Sequence, residues 1–397
     1  MHNAVGPMIS ALFSGNAIVV KGSEQTAWST VYFANIVRAA LTRCGHDENL
    51  VHAISCWPQT ASYFASHPGI SHLTFIGSKP VAHEVAKSAA KSLTALCVEL
   101  GGKDAAIVLD RPDGKPEHPS EMQRVVATLM RGVFQSAGQN CIGIERIIAM
   151  PQAYDRLSSL LKERISKMRI GWDLDTDPDN KGVDMGAMIS PASFDRLESI
   201  INEAVAQGAT LVAGGQRYYH PKYTAGHYFE PTMLTGVTTT MRIAQEELFA
   251  PVCLLMRADS VNDAITIANS TTFGLGCSIF GPTSSSEARN QIERVANAVK
   301  SGMVAINDFA VFYMVQLPFG GTKASGYGRF AGEEGLRGLC NAKSVCSDRF
   351  PWLIKTSIPG KLDYPMQAGA YKMGKGVAEF GYGESLSRRI EGIKKMI

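Results

Sequence analysis

Several features that would mark a particular class of protein are missing from this sequence of 397 residues. Its eight cysteines form no C-x-x-C pair, the spacing of many metal sites and redox dithiols, so the sequence gives no support for a bound metal. Scattered cysteines in so long a chain are expected to be reduced thiols, which favours an intracellular, reducing compartment. No apolar run reaches the ~18 residues of a membrane-spanning helix. The net charge of only +3, without a compact basic cluster before the C-terminal tail, argues against a nucleic-acid surface.

The sequence does contain a regular alternation of short β-rich runs and helical patterns. Such alternation predicts an α/β fold with a parallel, doubly wound sheet. A first lobe is expected over 1–104, a second α/β lobe over 105–341, and a weaker pattern over 342–397. The predicted strands include "NAIVVK", "SHLTFIGS", "LTALCVELGG", "DAAIVLD", "ATLVAGG", "VCLLM" and "GMVAIN", and the predicted helices include "TAWSTVYFANIVRAALTRCG", 154–168 and 193–207.

One cysteine, Cys141, lies in the polar, Gly-bearing stretch "FQSAGQNCIGIER". A nucleophilic cysteine needs thiolate character, partial exposure and nearby backbone donors, and a glycine-bearing loop after a helix supplies the last two. Taken alone, the pattern fits an inert structural cysteine better. If Cys141 is the nucleophile, it is expected to react before the other thiols, whereas Cys97 and Cys253 lie in apolar runs and are expected to be buried.

One carboxylate, Glu99, lies on the apolar strand that ends in "VELGGK". It is either a salt-bridged structural residue or a buried general base with a raised pKa, and the first reading is the commoner one. Together, however, the two residues suit one chemistry. A cysteine that forms a thioester needs a base to activate the hydrolytic water, and a desolvated glutamate provides one.

Eight motifs of the chain occur in the order in which one known family has them. The chain resembles the aldehyde dehydrogenases, an NAD(P)-dependent superfamily, and within it a plant and fungal branch known for membrane-tethered members. The motifs cover nearly the whole chain and are "KGSEQT", "FIGS", "ELGGK", "GQNC", "YFEPTML", "EELFAPV", "NSTTFGL" and "PFGGTKASGYGR".

The resemblance implies that the chain oxidises an aldehyde to a carboxylic acid with hydride transfer to NAD. Cys141 matches the nucleophile, which forms a thiohemiacetal whose oxyanion is held partly by the backbone N–H of Cys141. Glu99 matches the base that activates water to release the acid. The chain divides, on this reading, into a partial NAD-binding domain over 1–104, a catalytic domain over 105–341, and an oligomerisation strand with a tail over 342–397.

The cofactor site is also carried over from the resemblance. Glu24 would accept from both hydroxyls of the adenosine ribose and repel a 2′-phosphate, so NAD is favoured over NADP. No G-x-G-x-x-G motif occurs, in keeping with this family's variant way of binding dinucleotides. The matching positions are Lys21 and Glu24 at the adenosine ribose, Gly77 and Ser78 at the pyrophosphate, Leu100 and Gly101 after the base, and Glu247 and Phe249 at the nicotinamide ribose and ring.

Two departures from the family pattern affect this site. Ala82 replaces a usual glycine one turn into the phosphate-facing helix, so its methyl group is expected to crowd the pyrophosphate. The family's second oxyanion donor is an Asn in a W-N motif that lies upstream of the segment matched by Met1. The sequence therefore predicts an N-terminally truncated chain that lacks the first cofactor-domain strands and turns over aldehyde poorly or not at all.

The expected partners are a small-molecule aldehyde and further copies of the same chain, as a dimer or tetramer. The tail "ESLSRRIEGIKKMI" places Leu386, Ile390, Ile393 and Ile397 at helical spacing among basic residues, with Gly392 weakening the helix. It fits either a helix packed on its own domain or subunit partner, which is favoured, or an amphipathic helix on a membrane surface. Membrane association of the full-length protein stays an open alternative.

Two other functions remain open at this stage. A CoA-acylating relative would pass the acyl group to CoA, although Glu99 argues against an enzyme that must avoid hydrolysis. A catalytically impaired fragment with a binding or structural role is the other. The aldehyde itself is not fixed by the sequence, because the aromatic segment "NDFAVFYMVQ" (307–316) fits an apolar substrate tunnel and core packing equally well.

Overall fold

The computed structural model describes residues 2–172, 174, 182–309, 311–353 and 355–397. It divides into two compact units, Met1–Asn341 and Ala342–Ile397. The predicted α/β class is confirmed, and the strands are mostly parallel. The three-part domain division remains a prediction, since it draws a further boundary inside the first unit.

The first part of the larger unit alternates helices and strands around two small sheets. β1 and β2 are parallel, and α1 and α2 pack against them through Met8, Ala34 and Val51. β3 and β4 are also parallel. Pro80 lies in the first turn of α4, where its fixed φ is favourable and its missing N–H costs nothing. The elements are α1 (His2–Phe13), β1 (Ile18–Gly22), α2 (Ala27–Arg43), β2 (Val51–Ser55), α3 (Pro58–Ala65), β3 (His72–Ile76), α4 (Lys79–Ala89) and β4 (Ala95–Glu99).

A seven-stranded sheet forms the core of the remainder of this unit, with the order β13-β12-β5-β6-β11-β10-β7. All its pairs are parallel except β10 with the edge strand β7. The elements are β5 (Asp104–Val108), α5 (Pro119–Phe134), β6 (Ile144–Ala149), α6 (Pro151–Ile165), α7 (Phe194–Ala206), β7 (Thr210–Ala213), β8 (Arg217–Tyr218), β9 (Tyr228–Phe229), β10 (Thr232–Thr235), β11 (Val252–Arg257), α8 (Val261–Asn269), β12 (Gly276–Phe280), α9 (Ser286–Ala298), β13 (Met303–Ile306), β14 (Gly326–Tyr327) and α10 (Gly332–Gly338).

The central strands of this sheet are buried along their whole length, as parallel strands covered by helices on both faces must be. Apolar residues on one side of α5 and α6, such as Leu129 and Leu161, are fully buried against it. The predicted helices at 154–168 and 193–207 correspond to α6 and α7, each starting or ending within three residues of prediction. Helix boundaries shift because the caps, rather than the apolar pattern, determine where a helix ends.

One short strand joins distant parts of the chain. β14, from the motif "PFGGTKASGYGR", pairs antiparallel with β4, placing Gly326 opposite Glu99 and Tyr327 opposite Val98. Gly326 has a φ of 110°, and a Cβ there would lie 2.0 Å from the Val98 carbonyl oxygen. Only glycine fits this approach. The motif therefore forms the outer edge of the strand that ends at Glu99.

The smaller unit contains a helical hairpin, α11 (Ala370–Tyr382) and α12 (Leu386–Met396). The two helices cross at glycines, since a Cβ on Gly376 would lie 2.6 Å from the Gly392 carbonyl oxygen. Gly392, expected to weaken the tail helix, lies inside α12 and permits this close crossing. None of the described helices combines the length and apolar character required to cross a bilayer.

Candidate active site

The loop that carries Cys141 runs from α5 to β6 and depends on small residues. Ser136, Ala137 and Gly138 all have positive φ, at 57°, 53° and 71°. A Cβ on Gly138 would lie 2.1 Å from the carbonyl oxygen of Ala250, so the chain can pass there only as glycine. The small residues that precede Cys141 in the sequence thus have a structural cause. They let the chain turn sharply and bring the thiol to the carboxyl end of β4.

Glu99 ends β4 with only 2% of its surface exposed. Its Oε1 accepts the N–H of Gly101 at 2.9 Å. Burial raises the pKa of Glu99, and the Gly101 N–H and the nearby Cys141 thiol only partly oppose that rise. The structure thus brings the two predicted catalytic side chains close enough for each to shift the pKa of the other. A buried carboxylate of raised pKa beside a thiol is suited to accept the thiol proton.

The expected thiolate character of Cys141 is wrong for the free protein. Burial, followed by the nearby charge of Glu99, raises the pKa of the Cys141 thiol far above its ordinary value. The thiol is therefore protonated at neutral pH and needs a base. Cys97 and Cys253 are buried, as expected, but three other thiols are far more accessible than Cys141: Cys44, Cys340 and Cys346. Cys141 is thus not expected to react first with a general alkylating reagent.

A tyrosine that the sequence did not single out lies at the thiol. The hydroxyl of Tyr313 donates to Asn140 Oδ1 at 3.1 Å and lies 4.0 Å from the sulfur of Cys141. Its ring stacks on Phe319, with centroids 5.4 Å apart and planes at 13°. Phe312 beside it is buried in the core. Among the described residues of this segment, Phe312 therefore belongs to core packing and Tyr313 lies near the thiol, while the apolar substrate tunnel stays a prediction.

A buried ion pair behind the loop was also missed. Lys103 Nζ donates to Glu145 Oε2 at 2.6 Å, and 1% and 7% of the two residues are exposed. The same carboxylate accepts the backbone N–H groups of Leu248 and Phe249, at 2.9 and 3.0 Å. Glu145 thus connects β6, which follows the nucleophile, to the "EELFAPV" segment. The one available signal was a charged pair, Glu145 and Arg146, opening an otherwise apolar strand.

Comparison with known proteins places this arrangement in a family. The model of the aldehyde dehydrogenase family matches residues 1–345. The chain belongs to the aldehyde dehydrogenase family. It is 52% identical over 389 residues to an aldehyde dehydrogenase-like protein of Schizosaccharomyces pombe, covering 98% of this chain and 71% of the relative. It is 32% identical over 335 residues to a succinate-semialdehyde dehydrogenase [NADP(+)] of Mycobacterium avium, covering 84% of this chain and 65% of the relative.

Solved aldehyde dehydrogenase structures share the fold. A betaine aldehyde dehydrogenase of Staphylococcus aureus, crystallised as a point mutant in complex with NAD+, matches with a TM-score of 0.74 and 30% identity. The match covers 88% of this chain and 67% of that one. The chain therefore spans about two thirds of the length of these dehydrogenases, which form a family of oxidoreductases.

Residues predicted to bind the adenosine half of the cofactor lie at the carboxyl ends of parallel strands, where open α/β sheets bind ligands. Lys21, near the end of β1, and Glu24, just after it, have Nζ and Oε1 3.0 Å apart. Gly77 and Ser78 form the turn between β3 and α4, and the Ser78 side chain does not cap that helix. The Gly77 N–H donates to the Glu99 carbonyl oxygen at 3.0 Å, so this turn is hydrogen-bonded to the end of β4. The donor set fits a dinucleotide.

The residues predicted to contact the nicotinamide half of the cofactor include Leu100 and Gly101, which directly follow Glu99. Leu100 is buried, and the N–H of Gly101 is already taken by Glu99. Glu247 Oε1 accepts the N–H of Gly102 at 3.3 Å, and burial, with Glu145 as the second cause, raises the pKa of Glu247 to about 8. Phe249 is exposed and has a φ of 52°. A buried carboxyl group and, two residues later, an exposed aromatic ring fit a nicotinamide riboside.

The expected crowding or displacement of the pyrophosphate by Ala82 stays a prediction. Its side chain is buried in a small apolar cluster with Val98 and Leu100, with Phe75 packed against it. The methyl group therefore points towards β4 rather than to the solvent side of α4. Among the described residues, no group of three or more His, Cys, Asp or Glu is placed to hold a metal ion.

Proposed function

We propose that this protein oxidises an aldehyde to a carboxylic acid, with NAD as the hydride acceptor. The observation that carries the proposal is the nearness of the Cys141 thiol to the buried Glu99 carboxylate, since each group shifts the pKa of the other. Family membership supports the reaction class. The raised pKa of both groups supports their roles, because a protonated thiol needs a base and a desolvated carboxylate holds a proton readily.

The first step is the formation of a covalent bond to Cys141. Glu99 takes the thiol proton, and the sulfur attacks the aldehyde carbon while the carbonyl π electrons move to oxygen. The product is a thiohemiacetal whose oxyanion accepts the backbone N–H of Cys141. When bound, NAD takes up the hydride from the thiohemiacetal carbon, and Lys21, Glu24 and Glu247 are the residues that would hold its two riboses. The carbon is thereby oxidised to a thioester.

The second step is hydrolysis. Glu99 removes a proton from a water molecule, and the resulting hydroxide adds to the thioester carbon. The carbon–sulfur bond then breaks, the carboxylic acid leaves, and the Cys141 thiolate regains a proton. A buried carboxylate can serve both steps only if it passes its proton on between them.

A direct test is turnover with a panel of aliphatic and aromatic aldehydes, with NADH formation and the acid product both quantified. Wild type is expected to form one acid per NADH. Cys141→Ala should abolish NADH formation, and Glu99→Gln, which removes the base of both steps, should strongly reduce both NADH and acid formation. Cys340→Ser, at an exposed thiol, is the matched control and should behave as wild type. Acyl-CoA in place of acid, when CoA is added, would show the acylating alternative instead.

The preference for NAD rests on Glu24. An exposed carboxylate can accept both ribose hydroxyls and repels a 2′-phosphate, although Lys21 beside it offers a positive charge. The relatives differ in their cofactor. The Mycobacterium avium relative is named for NADP(+), and the Staphylococcus aureus structure contains NAD+. Binding titrations with both cofactors test the proposal. Binding of NADP tenfold or more tighter than NAD would overturn it, a difference of about 1.4 kcal/mol.

We also propose a homo-oligomer in a reducing compartment. The eight cysteines are all free thiols, which suits such a compartment. Light scattering on the purified protein tests the assembly, and a monomer at micromolar concentration would contradict it.

A further inference from the structure

We infer that the hydroxyl of Tyr313 donates a hydrogen bond to the oxyanion of the thiohemiacetal formed on Cys141. The inference rests on the proposed function, because it needs that adduct. It assigns a catalytic role to a residue that the family motifs quoted above do not include.

The geometry around the thiol is the first support. Tyr313 Oη lies 4.0 Å from Cys141 Sγ and donates to Asn140 Oδ1, which itself lies 3.9 Å from the same sulfur. The oxygen of a thiohemiacetal is one carbon away from the sulfur. A donor at the edge of contact with the sulfur can therefore reach hydrogen-bonding distance of that oxygen without leaving its place.

The setting of the ring is the second support. Stacking on Phe319, which is itself buried and packed against Phe330, fixes the Tyr313 ring on one side. A fixed donor requires little reorganisation when charge develops, which is the condition for effective oxyanion stabilisation. Burial, together with the nearby Cys141, also raises the pKa of the Tyr313 hydroxyl, so the group stays protonated and keeps its hydrogen.

The step conserves atoms and charge. Cys141 loses its proton to Glu99, the sulfur–carbon bond forms, and the carbonyl π electrons become the oxyanion. Tyr313 transfers no proton. It exchanges its neutral acceptor, the amide oxygen of Asn140, for the charged oxygen of the adduct, and a hydrogen bond to a charged acceptor is about twice as strong as a neutral one. The backbone N–H of Cys141 and the Tyr313 hydroxyl would then be two donors to one oxygen.

The variant Tyr313→Phe keeps the ring and its stacking while removing only the hydroxyl. Single-turnover NADH formation is expected to fall by roughly 10²-fold, as for other oxyanion donors. Alkylation of Cys141 by iodoacetamide, followed by peptide mapping, forms no oxyanion. Because the Tyr313 hydroxyl also lowers the pKa of the thiol, alkylation should slow, but by at least about tenfold less than NADH formation. Tyr219→Phe, at a tyrosine that is 80% exposed, is the matched control and should change neither rate.

A second readout needs no cofactor. Without NAD, an aldehyde should protect Cys141 from iodoacetamide by forming the reversible thiohemiacetal, and Tyr313→Phe should weaken that protection by about fivefold or more. Protection in wild type without NADH formation from any aldehyde would reject the proposed function, and the protection ratio alone would then decide the role of Tyr313.

Three results would overturn the inference. The first is turnover and protection of Tyr313→Phe within about threefold of wild type. The second is a parallel loss of alkylation and turnover, which would show a structural role. The third is no protection of wild-type Cys141 by any aldehyde, since no adduct would then exist to stabilise.

Discussion

The Lys103–Glu145 pair offers the sharpest test of the packing behind the site. Glu145→Ala leaves the Lys103 ammonium without its partner in a place where its side chain has no exposed surface. Breaking a buried pair from one side typically costs about 3–5 kcal/mol. The N–H groups of Leu248 and Phe249 lose their acceptor as well, although a flexible segment can recover part of that by contact with water. We therefore expect the free energy of unfolding to fall by about 3–5 kcal/mol.

Urea unfolding followed by circular dichroism measures this loss. Glu145→Gln keeps an acceptor for the two N–H groups but not the charge, so it should lose less than Glu145→Ala. Glu163→Ala, which removes an exposed pair with Lys167, is the matched control and should cause no measurable change. The double variant Lys103→Met/Glu145→Gln removes both charges and should be more stable than the sum of its single variants predicts, by about 1–3 kcal/mol.

The pH dependence of the stability of Glu145→Ala tests whether the unpaired charge of Lys103 causes the loss. Burial already lowers the pKa of Lys103, and Glu145 opposes that lowering. Without Glu145 the pKa of Lys103 falls further, so the unfolded chain binds more protons than the folded one over a wider range. Stability then rises with pH, and the deficit of Glu145→Ala should shrink from pH 7 towards pH 10. A deficit below about 0.5 kcal/mol, or one that does not change with pH, would refute the reasoning.

Three further outcomes are expected. Gly138→Ala should unfold at a markedly lower temperature and lose NADH formation, because its methyl group would meet the Ala250 carbonyl at positive φ; a normal melting temperature would contradict this packing. Iodoacetamide at neutral pH should modify the exposed Cys340 before Cys141, and Cys141 labelling should rise about tenfold per pH unit; faster labelling of Cys141 at pH 7 would show a stable thiolate. Glu24→Ser should raise the affinity for NADP relative to NAD by about tenfold or more, and an unchanged ratio would remove Glu24 from the ribose site.

The sequence predicted the secondary structure well where hydrophobic periodicity is a direct consequence of burial. Strand β1 and helix α7 are examples. The strand follows a short apolar run, and the apolar residues of the helix recur at the spacing of its buried face. It also placed Cys141 and Glu99 together, but only through the family resemblance. Nothing in the local residues of either one indicates how far apart they lie.

Three parts could not be predicted because they depend on contacts between distant segments. The thiolate prediction for Cys141 failed because polar neighbours in the sequence do not show how much of the thiol the rest of the protein covers. The packing of Ala82 against Val98 and Leu100 could not be predicted, because one glycine-to-alanine change does not show which residues that side of the helix contacts. Tyr313 was overlooked because its partner, Asn140, is far away in the sequence and becomes its neighbour only in the folded protein.

The pairing of β14 with β4 has a consequence for the order in which the molecule is made. During synthesis, the strand that ends at Glu99, the proposed base, emerges early and has only β3 beside it. Its other neighbour, at Gly326 and Tyr327, leaves the ribosome after the whole seven-stranded sheet has been made. Until then that edge presents unpaired backbone groups, a state in which strands are prone to pair with other chains. A nascent chain interrupted before Tyr327 would therefore leave Glu99 on an unfinished sheet, and activity can begin only once nearly all of the first compact unit has been translated.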